Sequence, residues 1–325
     1  MQKKAFTYSH SLLLPLTRSC GSHCRYCTYK QNDGRLLTFD EIENYLQKHS
    51  ASGICEVVVT AGQSLEKIPE ITDRWNKMGY TAFAEYVRDI CHLILEHDLL
   101  PSLDIGPLSA AQLEMLAPYT ASMTVMLENI NRDFMMSLQE DKSIDDKLEC
   151  ISDAGLSRIP ITTGLLLGVG ESVDDGFATL NAIEELHEKY GHIQSVVFQP
   201  AISDGRFVTA EINDDEMQLL INYSKKIMPD VAVSIPLQAA WKWQDTGIAG
   251  IDDLGHLFEG TDGLDWEKPF PKLTEVERMA GKKGYELKAR FPVFESMFRR
   301  VRVSEKMQSV IAQWTDKKEY MAYRN

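Results

Sequence analysis

The sequence predicts an α/β protein, a TIM-type (β/α)8 or near-complete barrel with a C-terminal helical extension. Three observations predict it. Short β-rich runs alternate with longer amphipathic ones seven or eight times along the chain. The short runs are almost wholly apolar, as strands covered on both faces must be. At 325 residues the chain is long for one simple core but suits a barrel-sized domain with an addition. The expected division is a barrel domain at residues 1–300, with its key loop after the first strand, and an extension at 301–325. No internal repeat, low-complexity segment or linker interrupts it.

Taken in order, residues 12–16 read as a first strand and 38–49 as a helix, with Thr38 as N-cap and Glu41 closing a capping box. Residues 56–60 (EVVVT) give the second strand and 82–97 a helix with Phe83, Val87, Ile90, Leu93 and Ile94 along one side. A third strand at 101–105 precedes a helix at 109–116. The fourth strand spans 122–127, with its helix at 145–153, and ITTGLLL at 161–167 is the fifth. Residues 173–189, 195–199, 214–227 and 231–235 continue the alternation. The pattern then loosens: an eighth unit is expected from a strand at 250–254 and a helix at 274–283, and a polar helix-prone tail at 304–323 closes the chain.

Composition narrows the function classes. With 44% hydrophobic and 25% charged residues the chain resembles an ordinary soluble protein. No run approaches the roughly eighteen apolar residues of a membrane span. Its start, MQKKAFTYSH, lacks the apolar stretch and cleavage site of a secretion signal, so a cytoplasmic location is expected. Scattered Cys55, Cys91 and Cys150 fit a compartment that keeps thiols reduced. A net charge of −14 disfavours nucleic acid, whose phosphates want a basic surface.

The chemistry concentrates at LLLPLTRSCGSHCRYCTYK, residues 12–30, where Cys20, Cys24 and Cys27 stand at C-x3-C-x2-C spacing directly after the first strand. One short loop can aim all three sulfurs at a common point, as a cuboidal [4Fe-4S] cluster requires. Three ligands for four irons leave one corner open. That corner can chelate S-adenosylmethionine, whose reductive cleavage yields methionine and a 5′-deoxyadenosyl radical. The spacing is the signature of the radical S-adenosylmethionine superfamily, and Tyr26 is the aromatic residue which that superfamily favours before the third cysteine, near the adenine. Two other readings stay open: a zinc site with His23 or His10 as fourth ligand, making the protein a catalytically silent scaffold or partner subunit, and three inert buried thiols.

Barrel enzymes place their sites at the carboxyl ends of the strands, and other candidates fall there. Gly62 and Gln63 follow the second strand, where a glycine lets backbone approach a cofactor closely. Glu128 follows the fourth and suits a ribose hydroxyl or an amino group. Gly164 and Gly168 on the fifth leave room for an adenine, and Glu171 can cap the next helix. Arg158 and Thr163 flank the same strand. Gln199, Gln238, Asp252, Asp253 and His256, at the sixth to eighth strand ends, are the candidates for the catalytic, substrate-contacting set. Trp241 and Trp243 would share one side of an extended segment and could stack on a ring, or pack in the core if helical.

YSHSLLLPLTRSCGSHCRYCTYK, RIPITTGLLLGVGES, YGHIQSVVFQP and DWEKPFPKLTEVERMAGKKGYELKARFPVF together resemble the 7,8-didemethyl-8-hydroxy-5-deazariboflavin synthase family over residues 8 to about 295. The resemblance implies a radical enzyme of deazaflavin biosynthesis acting on a small molecule. It oxidises and ring-closes an adduct that a companion radical S-adenosylmethionine enzyme makes from tyrosine and a ribityl-diaminouracil. An electron donor of the ferredoxin or flavodoxin type is expected to reduce its cluster. The sequence departs from the family at four places. Ala61-Gly62-Gln63 replaces L-G-E or L-G-D, Gln199-Pro200-Ala201-Ile202 replaces Q-N-F with its lysine-proline-glycine turn, Ile235 to Ala239 replaces V-P-P-N-L, and residues 252–257 replace N-D-W-G-G-V-S-P. The expectation is a kept cofactor half and a rebuilt substrate rim, hence a divergent synthase or a paralogue acting on another tyrosine-derived or heteroaromatic metabolite.

Overall fold

β1 (Lys4–Thr17) meets three partners along its fourteen residues. Its first five pair with β9 (Tyr285–Ala289), its middle with β8 (Asp253–Phe258) and its last part with β2 (Glu56–Ala61), all in parallel. β3 (Leu100–Asp104), β4 (Ser122–Thr124), β5 (Ile161–Leu167), β6 (Ile193–Pro200) and β7 (Ala232–Ser234) complete the order β2-β3-β4-β5-β6-β7-β8-β1. The β1–β2 pairing closes this into an eight-stranded parallel barrel, with β9 as an added strand on β1. The computed structural model describes residues 4–49, 53–203, 207–237, 249–258, 271–298 and 300–315. Gln238, Trp241 and Trp243 lie outside them.

The helices among the described residues are α1 (Phe39–His49), α2 (Pro69–Lys77), α3 (Phe83–Glu96), α4 (Ala110–Leu116), α5 (Arg132–Leu138), α6 (Ile144–Leu156), α7 (Val173–Tyr190), α8 (Asp214–Ile227), α9 (Leu273–Lys282) and α10 (Glu305–Thr315). None is long and apolar enough to cross a membrane. Local chemistry starts several of them. Glu41 accepts from the Thr38 backbone N–H at 2.8 Å while Thr38 Oγ1 accepts from Glu41 N at 3.3 Å, the expected capping box of α1. Before α7 the box is made by Ser172 and Asp175, and Gly191 ends the helix at φ 61°. Glu171 does not cap α7. Its carboxylate instead accepts from Gly168 N and Val169 N, both at 2.8 Å, and fixes the turn that Gly168 enters at φ 80°.

α2 and α5 were not foreseen, because each buries only two residues, Ile71 with Trp75 and Met135 with Leu138, too narrow a stripe to stand out as periodicity. β4 is shorter than expected. Its eighth counterpart is displaced, running 253–258 rather than 250–254. In the tail, α10 buries Met307, Val310 and Trp314, and Trp314 Nε1 donates to the Asp98 carbonyl at 2.6 Å, just before β3.

Side chains alternate along the strands, one set facing the helices and one the barrel axis. The helix-facing set is apolar: Leu12, Leu14 and Leu16 of β1 and Val57 and Val59 of β2 are buried in one core with Ile42, Leu46, Ile90 and Ile94. The inward set near the base is polar, including Ser9, Ser11, Glu56, Ser102, Ser195, Ser234 and Asp253, all buried. Barrel interiors are ordinarily filled by branched apolar chains. A nearly all-apolar reading of the strands therefore holds for the outer face, while the inner face mixes these polar residues with apolar ones such as Leu13 and Val58.

Candidate active site

At the carboxyl ends of the strands lies a cavity of about 340 Å³. The loop after β1 forms one wall, contributing Cys20, Tyr26, Cys27 and Tyr29. Cys24 faces the outer side of the same loop with Cys27, and all three cysteines are half-buried thiols. Neighbouring segments clamp the loop. Gly21 N donates to the Gln63 carbonyl at 2.8 Å, Gln63 N points at Cys20 Sγ at 3.3 Å, and Arg25 N donates to the Leu138 carbonyl at 2.9 Å. Gly62 is required here because a Cβ on it would meet the Ser19 carbonyl at 2.0 Å and the Cys20 Cα at 2.7 Å. The cysteine loop itself therefore presses on the glycine that was expected to admit the cofactor.

Around the thiols sits a compact charged network. Tyr26 donates its hydroxyl to Glu128 Oε1 at 2.7 Å, and Lys147 holds Glu128 Oε2 at 2.5 Å. Burial raises the Tyr26 hydroxyl well above its usual range, and the Glu128 charge adds to this. Burial would also push the Glu128 carboxyl up, but the Lys147 and Lys142 charges outweigh it and hold it low. At Cys24, burial pushes the thiol up while the neighbouring Lys142 ammonium opposes it. Glu128, expected to reach a ribose or an amino group, has both oxygens engaged and is absent from the cavity wall. It positions the ring beside the third cysteine instead, on a backbone strained to φ 70°.

The donor set suits an anionic cluster. Ser22 Oγ and Gln139 Nε2 are buried donors without partners among the described residues, and Gln139 Oε1 lies 3.9 Å from Cys24 Sγ. Lys142 adds a positive charge and a hydrogen-bond donor beside Cys24, the kind of neighbour that cluster sulfurs accept. Among the described residues no three His, Cys, Asp or Glu side chains are grouped closely enough to hold a metal ion, the three cysteines included.

The other expected residues divide. Gln63, Gln199 and His256 line the cavity, and Gly62 borders it. Gly164 leaves no room for an adenine, since a Cβ there would strike the Val197 backbone of β6. Asp252 precedes β8 rather than following it: it pairs with Lys225 at 2.5 Å and accepts from Val233 N at 2.9 Å, off the cavity wall. Asp253 touches the cavity from beneath but is fully buried, held by Arg290 Nε at 2.6 Å, Arg290 Nη2 at 3.0 Å and Thr7 Oγ1 at 2.6 Å. His256 Nδ1 sits 3.1 Å from Glu56 Oε2. Burial would raise the Glu56 carboxyl, yet His256, the Arg290 charge and a Ser102 hydrogen bond bring it down to about 2. Arg158 stands at the opposite end of β5, at φ 60°, and Thr163 Oγ1 is buried, accepting from Leu127 N.

Asp104, Lys142, Lys147, Gln139 and Arg290 were missed. Asp104 ends β3 on the cavity wall, and crowding by protein pushes its carboxyl up to about 6, against the charges of His256 and Lys142. Its accessible surface opens into the barrel. The signal was present as the alternation of Ser102 and Asp104 within an otherwise apolar run.

No model of a protein family matches the chain. The chain is 32% identical to a 7,8-didemethyl-8-hydroxy-5-deazariboflavin synthase of Methanococcus maripaludis, over 97% of this chain and 89% of that one. It is also 32% identical to the synthase of the same name from Methanococcoides burtonii, over 96% of both chains. Among solved structures, a maturase of the [FeFe]-hydrogenase, HydG, superposes with a TM-score of 0.69 at 17% identity, covering 96% of this chain and 70% of that chain.

Proposed function

The chain belongs to the 7,8-didemethyl-8-hydroxy-5-deazariboflavin synthase family, and we propose that it catalyses that family's radical S-adenosylmethionine reaction on a small molecule, the tyrosine–diaminouracil adduct. The observation that carries the reading is the clamped loop of Cys20, Cys24 and Cys27 opening on a barrel cavity. In this reading the three thiolates hold a [4Fe-4S] cluster, which with bound S-adenosylmethionine supplies a 5′-deoxyadenosyl radical. Tyr26, fixed by Glu128 and backed by Lys147, keeps the aromatic wall beside Cys27 in place. Gln63, whose backbone N–H points at Cys20 Sγ, presents a neutral amide to the cavity where the family carries a carboxylate. Gln199 and His256 face the substrate. The partners this reading calls for are a ferredoxin- or flavodoxin-type electron donor and a companion radical enzyme that makes the adduct.

The test is an anaerobic assay of reconstituted protein with S-adenosylmethionine, a strong reductant and the adduct, following 5′-deoxyadenosine and deazaflavin fluorescence together. Both products are expected, and Cys24→Ala should lose both. Deoxyadenosine without fluorescence would place the substrate elsewhere, and cleavage retained in Cys24→Ala would overturn the cluster assignment.

A further inference from the structure

Above the floor of the barrel, Asp104 of β3, Thr124 of β4 and Thr162 of β5 stand side by side on the cavity wall. Thr124 and Thr162 are register partners, and Asp104 continues the Leu103–Met123 register by one residue. None of the three side chains has a hydrogen-bond or ion-pair partner among the described residues. This separates them from the other inward polar groups: Ser102 donates to Glu56, Ser195 pairs with Ser234, and Arg290 is committed to Asp253. A carboxylate offers only acceptors, and each threonine one donor and further acceptors. Such groups left unpaired under a bound ligand would cost about 1–3 kcal/mol each. The occupant must therefore bring several donors spread along its length.

An apolar chain would leave all three unsatisfied. A phosphate would set its own negative charge against the Asp104 carboxylate, which is in no ion pair among the described residues. A chain of hydroxyls meets the set, because every hydroxyl can donate to Asp104 and both donate to and accept from a threonine. Gln199, higher on the wall where β6 pairs with Leu166, adds one further donor and acceptor toward the rim.

We propose that Asp104, Thr124 and Thr162 form a subsite for the unphosphorylated polyhydroxyl chain of the substrate, which enters chain first and leaves its reacting ring at the cysteine end of the cavity. The inference rests on the proposed reading in taking this cavity as the substrate pocket and the substrate as a reacting ring that carries a side chain. It makes Asp104 and Thr162 specificity-determining residues.

Two measurements test it. In the first, full-length reconstituted protein is assayed with the ribityl-bearing adduct and with the same adduct carrying an unhydroxylated pentyl chain. Wild type should show a KM at least about tenfold lower for the ribityl compound, and Asp104→Asn or Thr162→Val should erase most of that preference while kcat changes little. Equal KM values for the two chains in wild type would overturn the subsite. Turnover of neither adduct, with deoxyadenosine still released, would defeat the substrate reading alone.

The second measurement needs no turnover. Thermal unfolding is followed with D-ribitol, ribitol 5-phosphate or pentylamine, comparing wild type with Asp104→Asn and Thr162→Val. Polyols stabilise any fold by exclusion, so the readout is the difference between proteins. A larger ribitol shift in wild type than in both variants is expected, with no such difference for the phosphate. Identical ribitol shifts in all three proteins overturn the proposal, as does a variant-dependent response to pentylamine alone, which would assign Asp104 to a cationic group.

Discussion

At the floor of the barrel Asp253 is gripped by Arg290, Thr7 and Ser234, and Glu56 by Ser9, Ser11, Ser102 and His256. One layer higher, Asp104, Thr124 and Thr162 face open space. The same residue types occupy both layers, yet the lower closes on itself and the upper is left to be completed from outside. The floor's paired charges hold the strands to one another, because a buried charge is tolerated only with its partners. The upper layer's unpaired groups contribute nothing of that kind and keep their bonding capacity for a ligand. Composition alone does not separate a structural polar residue from a binding one; partnership does.

The largest test of this contrast removes one partner from the floor. Arg290→Leu leaves Asp253 charged and buried, and should destabilise the protein by about 3–5 kcal/mol in chemical denaturation. Asp104→Asn should cause no loss of stability at neutral pH, since it breaks no bond and removes a carboxylate charge that its surroundings disfavour. Similar losses in the two variants would break the comparison.

pH gives a second test, because the two layers should have opposite slopes. Glu56 titrates lower in the fold, at about 2, than in the unfolded chain, so its contribution is complete above about pH 4.5 and is lost as pH falls toward 2. Asp104 titrates higher in the fold, at about 6 against 3.8, so the native state binds the extra proton and stability rises as pH falls from 6 toward 4. Denaturation curves across this range should therefore flatten below pH 4.5 in Glu56→Gln, and lose the slope between pH 6 and 4 in Asp104→Asn. Glu56→Gln should also cost about 1–3 kcal/mol at neutral pH, through the weakened bond to His256.

The smallest effect separates two hydroxyls. Ser234→Ala removes a donor from Asp253 and should cost about 1 kcal/mol, whereas Thr162→Val should stay within about 0.5 kcal/mol of wild type in the absence of ligand. A Thr162→Val loss as large as that of Ser234→Ala would mean that the upper layer also holds the fold together.

Much of this was legible in the chain. Alternating apolar runs implied the barrel, and β5 and α8 fall where the periodicity put them. The loop of Cys20, Cys24 and Cys27 followed from spacing alone, and its placement beyond β1 followed from the strand before it. Glu128 and Asp253 were selected for their position near strand ends, but position cannot show that Tyr26 with Lys147, or Arg290, already occupies them. Asp252 was misplaced because β8 starts three residues later than its apolar pattern suggested, which moved a residue expected at the rim to the strand's near end.

What the sequence determined by itself is local. Helix caps, strand periodicity and the thiol spacing each depend on residues within a few positions of one another, where the backbone's own geometry sets the outcome. Only the tertiary structure decided which inward polar groups are spent and which remain available. Arg290 reaches Asp253 across 37 positions, and His256 reaches Glu56 across 200. Closing the barrel brings those partners together at the floor and gives Asp104 none among the described residues, because the hydrogen bond, a contact of about 3 Å, is set by where strands meet in space and not by their order along the chain.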